Sequence, residues 1–203
     1  MESLNYFKSL ADETRIRLFN ILLSHELSVN ELVSLMDMGQ SRISRHLKIL
    51  TDSALLQCRR DGIWAFYSVS KKGKEEKFAR AIQFLFHDES ALTEDLKNAD
   101  IVMNDRKKKS KQFFNTIAHE WDDLQQQIIG DFDLNRAILK HVDTCDFAVD
   151  MGCGTGKLLY HLKDFAAVTV GVDSSPVMLE QARKLFKEEN GNVKLRLGEL
   201  EHL

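Results

Sequence analysis

Cysteine, proline and long apolar runs are scarce in these 203 residues, and each scarcity closes off a class of protein. The three cysteines, Cys58, Cys145 and Cys153, are odd in number and widely spaced. That pattern builds neither a disulfide framework nor a thiolate metal site, and it fits free thiols in a reducing compartment. No apolar stretch approaches the roughly 20 residues that a membrane helix needs. The start MESLNYFKSLADE has no basic flank leading into an apolar segment, so the expectation is a cytoplasmic protein with no membrane partner. A basic excess is missing too: 28 Lys and Arg stand against 31 Asp and Glu, and the net charge of -3 carries no argument for nucleic acid. With 43% hydrophobic residues and no low-complexity tract, the composition is that of a folded globular chain.

What is present falls into two styles. The first hundred residues read as short amphipathic helices. Ile16, Phe19 and Leu23 repeat at helical spacing behind Asp12, a capping residue. Ser28 and Glu31 have the S-x-x-E spacing of a capping box, ahead of an apolar face of Leu32, Leu35 and Met36. Gly39 breaks that helix, and QSRISRHLKIL then sets Ile43, Leu47 and Leu50 at i, i+4 and i+7, with the polar and basic residues largely off the stripe. LLQCRRDGIWAFYSV follows as two β-prone runs around an Asp-Gly pair, a hairpin signal. Phe78, Ile82, Leu85, Leu92 and Leu96 form a helical seam that predicts a dimer. The run RKKKSK, Arg106 to Lys111, is the expected domain boundary. Beyond it strands and helices alternate: FAVDM, VTVGVD and VKLRL are strands separated by KLLYHLKDF and SPVMLEQARKLFKEEN, a βαβαβ order. Pro176, the single proline, follows Ser175 as the first helical residue follows an N-cap.

Helix, turn, basic helix, hairpin is the order of a winged helix-turn-helix. Between Gln40 and Arg60 five cations (Arg42, Arg45, Lys48, Arg59, Arg60) face one acid (Asp52), a local charge of +4 against the sign of the whole chain. Gln40, Ser41 and Ser44 carry donors and acceptors for base edges, while Arg42 and Arg45 suit guanine or phosphate. His46 belongs to the same candidate DNA-binding set. About ten cationic contacts per dimer would give a slope of log affinity against log salt near about -9.

Residues 8 to 70, and within them LADETRIRLF, SRISRHLKIL and RRDGIWAFYSV, resemble the ArsR-like family of dimeric winged-helix repressors. The resemblance implies a homodimer on a palindromic double-stranded operator. Many members sense metals through Cys-Val-Cys before the turn; the matching residues are Ser28, Val29 and Asn30, which cannot replace two thiolates for a soft metal. His87, Asp88 and Glu89, where some relatives bind zinc, read as a solvated polar patch, so no metal is expected.

The second half turns on VDMGCGTGKL. A dinucleotide fingerprint starting at Gly152 requires glycine at Lys157, and a Walker loop ending at Lys157 requires glycine at Met151 and Ser or Thr at Leu158. Both patterns fail. Asp-x-Gly-x-Gly-x-Gly with Asp173 ending the next strand resembles motif I of class I S-adenosylmethionine-dependent methyltransferases. By that resemblance Asp150, Gly152, Gly154 and Gly156 hold the methionine moiety, Asp173 takes the ribose hydroxyls, Ser174 and Met178 border the adenosine, and Glu199 and Leu200 lie at the adenine edge. FFNTIAHEWDDL resembles the helix that closes over the cofactor in small-molecule methyltransferases.

The fold expected is therefore mixed: an N-terminal α+β winged helix-turn-helix domain over 1–100, a linker with cofactor-capping helices over 101–145, and an incomplete α/β Rossmann-like methyltransferase domain over 146–203. The resemblance implies a sheet ordered 3-2-1-4-5-7-6, of which only the first three strands are supplied. Strand one is then an exposed apolar edge, and a truncation of a parent of about 300 residues is expected. No catalytic residue is assigned, and a chain of this length is expected to be inactive. The primary reading is a DNA-binding regulator carrying an S-adenosylmethionine-binding domain; the alternative is a small-molecule methyltransferase that uses its winged helix to dimerise. Neither the effector nor the methyl acceptor is legible.

Overall fold

Asp12 separates the first two helices by chemistry that its sequence position foretold. The computed structural model describes residues 2–86, 89–187 and 191–199. Helix α1 (Glu2–Leu10) gives way to α2 (Glu13–Ser24), whose N-cap Asp12 accepts from the Arg15 amide at 3.0 Å. Strand β1 (Leu27–Ser28) runs into α3 (Val29–Met36), where Ser28 and Glu31 close the capping box from both sides. Ser28 thus serves the helix start with both its amide and its hydroxyl bound to Glu31. Helix α4 (Gln40–Asp52) buries Ile43, Leu47 and Leu50 completely, as their spacing requires. These side chains join Leu18, Phe19, Ile21 and Leu22 of α2 in one core, each fully buried leucine contributing about 1.5–3 kcal/mol.

Strands β2 (Leu56–Asp61) and β3 (Trp64–Val69) form the hairpin, and β1 pairs on the far side of β3, giving the antiparallel order β1-β3-β2. The turn falls one residue later than the Asp-Gly reading put it. Asp61 still pairs with Trp64, and Gly62 and Ile63 make the turn because its first position takes φ 56°, open to glycine at little cost.

The predicted seam from Phe78 to Leu96 is not one helix. Helix α5 (Gly73–Gln83) ends in a 3-10 turn at Phe84–Phe86, and α6 (Ser90–Ile117) starts anew. Phe78 packs on Tyr6 and Phe7, and Leu92 is buried at 2% exposure, so both serve the core of their own chain. Arg17 donates twice to Asp95 at 2.7 Å and Asn20 donates to the Leu92 carbonyl, which ties α2 to the start of α6. His87 and Asp88 lie outside the described residues. The basic run Arg106 to Lys111 sits in the interior of α6, and contacts divide the chain into Met1–Asp105 and Arg106–Leu203.

In the second unit α7 (Trp121–Ile129) and α8 (Leu134–Leu139) precede a parallel sheet of β4 (Cys145–Met151), β5 (Ala166–Asp173) and β6 (Val193–Leu197) in that order. Helices α9 (Lys157–Leu162) and α10 (Pro176–Leu185) make the crossovers, with Ser175 capping α10 by accepting from the Met178 amide. Gly171 lets the layers close: a Cβ there would come within 2.7 Å of Leu159 and 2.9 Å of the Cys153 sulfur. Among the described residues β4 lies at one edge of the sheet, and its Phe147, Val149 and Met151 are exposed. No helix among the described residues is long and apolar enough to cross a membrane.

Candidate functional site

Two sites emerge, one in each unit. On the first, burial of Ile43, Leu47 and Leu50 turns Gln40, Ser41, Arg42, Ser44, Arg45 and Lys48 of α4 to the surface. His46 goes the other way. Its side chain is only 13% exposed, with Nδ1 at 3.7 Å from Asp12 Oδ1 and without a hydrogen-bond partner among the described residues. Burial holds its imidazole below the ordinary range; Arg15, Arg42 and Arg45 push in the same direction and Asp12 opposes them.

The local charge of +4 is partly spent inside the protein. Lys48 pairs with Asp52 one turn on at 2.8 Å. Arg59 is held more tightly: it donates to Glu26 through Nε (3.1 Å) and Nη2 (2.9 Å) and to Asp61 through Nη1 (3.1 Å). Its guanidinium also lies 5.0 Å from the centre of the Phe66 ring. These carboxylates keep the guanidinium protonated even more firmly than usual. Arg42, Arg45 and Arg60 make no ion pair among the described residues. The Lys48–Asp52 spacing was readable as an i, i+4 pair, whereas Glu26 and Arg59 are 33 residues apart and carried no local signal.

The second site is the loop between β4 and α9. Gly152, Gly154 and Gly156 have φ of 84°, 53° and 84°, conformations that favour glycine. A Cβ at Gly152 would meet nothing within 4 Å, and one at Gly154 only the Trp121 Nε1 at 3.8 Å, so the loop leaves an open cradle. At Gly156 the backbone is instead packed close to Phe186 and Ala182. Four of the loop amides are already committed. Gly152 and Cys153 donate to the Val172 carbonyl, Gly156 to the Cys153 carbonyl, and Gly154 to Asp173 Oδ2 at 2.9 Å. Asp173 Oδ1 also accepts from the Ser175 amide at 2.8 Å. Burial, with the nearby charge of Asp173, raises Asp150 above the usual carboxylate range. Burial likewise pushes the Cys153 thiol up to about 12, so it is no nucleophile at neutral pH.

Residues from FFNTIAHEWDDL reach this loop. Asp122 accepts from the Thr155 hydroxyl at 2.7 Å and pairs with Lys157 at 3.3 Å, while Asn115 accepts from the Ser175 hydroxyl at 2.7 Å. Asn115, Asp122, Thr155 and Lys157 were not among the residues singled out in the sequence, because their partners lie 30 or more residues away. Of the remaining expected positions, Ser174 is half-buried beside Asp173, Met178 is buried on α10, and Glu199 follows β6 half-buried. Leu200 lies outside the described residues.

Residues 12–57 match the family model "Bacterial regulatory protein, arsR family", and residues 148–203 match a methyltransferase domain. The arsenical resistance operon repressor of Escherichia coli (strain K12) is 47% identical over 66 residues, 32% of this chain and 56% of that repressor. The uncharacterized HTH-type transcriptional regulator Rv0081 of Mycobacterium tuberculosis (strain ATCC 25618 / H37Rv) is 35% identical over 97 residues, 45% of this chain and 84% of that regulator. The solved structure of reduced HlyU from Vibrio cholerae N16961 is 29% identical with a TM-score of 0.39, covering 43% of this chain and 90% of that one. The chain spans about half the length of the arsenic-resistance relatives it matches. By these matches the chain belongs to the arsR family of bacterial regulatory proteins and carries a methyltransferase domain after its winged helix.

Proposed function

We propose that the protein is a homodimeric cytoplasmic repressor, with residues 1–100 binding operator DNA and dimerising, 101–145 linking and capping, and 146–203 opening an S-adenosylmethionine-binding domain. The observation that carries the DNA-binding part is the exposed face of α4, where Arg42 and Arg45 stand beside Gln40, Ser41 and Ser44 without an ion pair among the described residues. Such a face puts donors and acceptors at base edges in a major groove and cations at the flanking phosphates. Arg60 on the hairpin supplies a further cation to a neighbouring groove. Dimerisation is supported by apolar side chains left in water on α1 and at the end of α5: Leu4, Phe7, Phe84 and Leu85 are 46%, 60%, 65% and 57% exposed. Binding of the first unit to a duplex from upstream of its own gene, compared with a random duplex of equal length, tests this part. Equal affinities for the two would end it.

The acidic lining of the glycine loop supports S-adenosylmethionine as its ligand. The amides of Gly152, Cys153, Gly154 and Gly156 are used within the protein, so four of the loop's donors are not offered to a ligand. What lines the loop is acidic: Asp150 and Asp173 offer carboxylates, which repel phosphate and suit an ammonium, a sulfonium and ribose hydroxyls. Asp150 and the loop carbonyls would hold the methionine ammonium, Asp173 the ribose, and Met178 with Ser174 and Glu199 the adenosine. The cofactor, when bound, supplies an electrophilic methyl group. The same geometry supports the second reading, a small-molecule methyltransferase that dimerises through its winged helix. Titration calorimetry with S-adenosylmethionine and its demethylated product tests the cofactor part separately from the DNA part. Heat of binding in neither titration would remove it.

A further inference from the structure

On the assumption that the winged helix binds DNA, as proposed above, we infer that Arg59 is a positioning residue that sets the pose of the wing, and that phosphate contact by the wing falls to Arg60. The two arginines are neighbours in β2, so strand geometry sends them to opposite faces. On one face Arg59 sits across from Phe66 of the central strand β3 and stretches past it to Glu26, the residue before β1. All three of its nitrogens donate to carboxylates, and Phe66 lies against the guanidinium plane. The guanidinium thereby links the outer strand β2 to the opposite edge of the three-stranded sheet, above the strand between them. Arg59, Glu26 and Asp61 together carry a charge of -1, which repels a phosphate instead of inviting one. On the other face Arg60 stands opposite Ala65, exposed and without an ion pair among the described residues.

The base of the hairpin is anchored by Leu56 and Val69 in the core and by the pairing of β1 with β3, and a sheet-spanning fork of this kind adds a hold on the arm beyond that base. Planar, bidentate geometry makes arginine the residue suited to the role, whereas a lysine at the same place offers a single point charge. The sequence alone gives Arg59 and Arg60 the same character. Only their opposite faces and the position of Glu26 separate them.

The test uses the whole chain with three substitutions, R59A, R60A and E26Q, each bound to the duplex from upstream of the gene and to a random duplex over a range of salt. Expected for R60A is weaker binding to both duplexes and a salt slope reduced by about 2 per dimer, one phosphate per protomer. R59A keeps the salt slope, since no phosphate contact is lost, and lowers the preference for the upstream duplex over the random one by about fivefold, since the pose of the wing is lost. E26Q lowers that preference by a similar factor, and the R59A/E26Q double variant is no worse than either single one. The inference is overturned if R59A reduces the salt slope as R60A does, or if E26Q leaves the preference for the upstream duplex over the random one unchanged. A wild-type chain that does not distinguish the two duplexes removes the underlying DNA-binding reading, a result recognisable before any variant is compared.

Discussion

The Asp173 carboxylate receives the Gly154 amide at 2.9 Å, joining the end of β5 to the middle of the glycine loop. With its other oxygen on the Ser175 amide at 2.8 Å, the same side chain fixes both the loop and the start of α10. A residue expected only to meet a ribose is therefore also what shapes the cradle.

Asp173→Asn is expected to cost stability and binding together. An asparagine accepts one of the two amides and turns an NH2 group toward the other, leaving a donor unpaired at a cost of about 1–3 kcal/mol. S-Adenosylmethionine affinity should fall by about tenfold or more on calorimetry. A variant with unchanged urea midpoint and unchanged affinity would show that the carboxylate does neither task.

Asp150→Asn separates the two effects. Burial and the neighbouring charge of Asp173 hold Asp150 above its ordinary value, so the folded state is strained by ionising it at neutral pH. The amide should raise the urea midpoint while weakening cofactor binding by about tenfold, since the charge that would meet an ammonium is gone. A lowered midpoint would contradict the burial argument.

His46 gives the first unit a pH dependence of defined sign. Its folded-state value lies below the ordinary imidazole value of about 6.5, so its contribution to stability is complete above that pH. The contribution is lost as pH falls from there toward the depressed value, because the unfolded chain takes up the proton first. His46→Asn should flatten the fall in melting temperature between about pH 7 and pH 5 by a few degrees. Parallel wild-type and variant curves would show that His46 does not titrate in this range.

Local chemistry was well recorded in the sequence. The Ser28–Glu31 box, the Ile43, Leu47, Leu50 stripe and the Ser175–Pro176 helix start all depend on residues within one or two turns of each other, and all stand in the structure. The parallel order of the three C-terminal strands followed from their alternation with helices. Relations across long sequence distances were not recorded. The Phe78 to Leu96 seam had helical spacing, but spacing does not say whether a stripe faces a partner or its own core, and Phe78 and Leu92 face the core. Arg59 counted as one cation among five until Glu26, 33 residues away, was seen to bind it. His46 lies close to the buried stripe of α4, and its inward side chain, 3.7 Å from Asp12, had no signal in the local sequence. In the glycine loop the residue types indicated a cradle, while the destination of each amide required coordinates.

The central claim is that α4 and the wing lie along a duplex with Arg42, Arg45 and Arg60 as the phosphate-facing cations, three per protomer and six per dimer. The most direct measurement is the affinity of the whole chain for the duplex from upstream of its gene between about 50 and 200 mM salt. Six contacts predict a slope of log affinity against log salt of about -5.4, shallower than the roughly -9 that counting every cation suggests, and about -3.6 in Arg42→Ala. A slope near zero, or one that Arg42→Ala and Arg45→Ala leave unchanged, would contradict it.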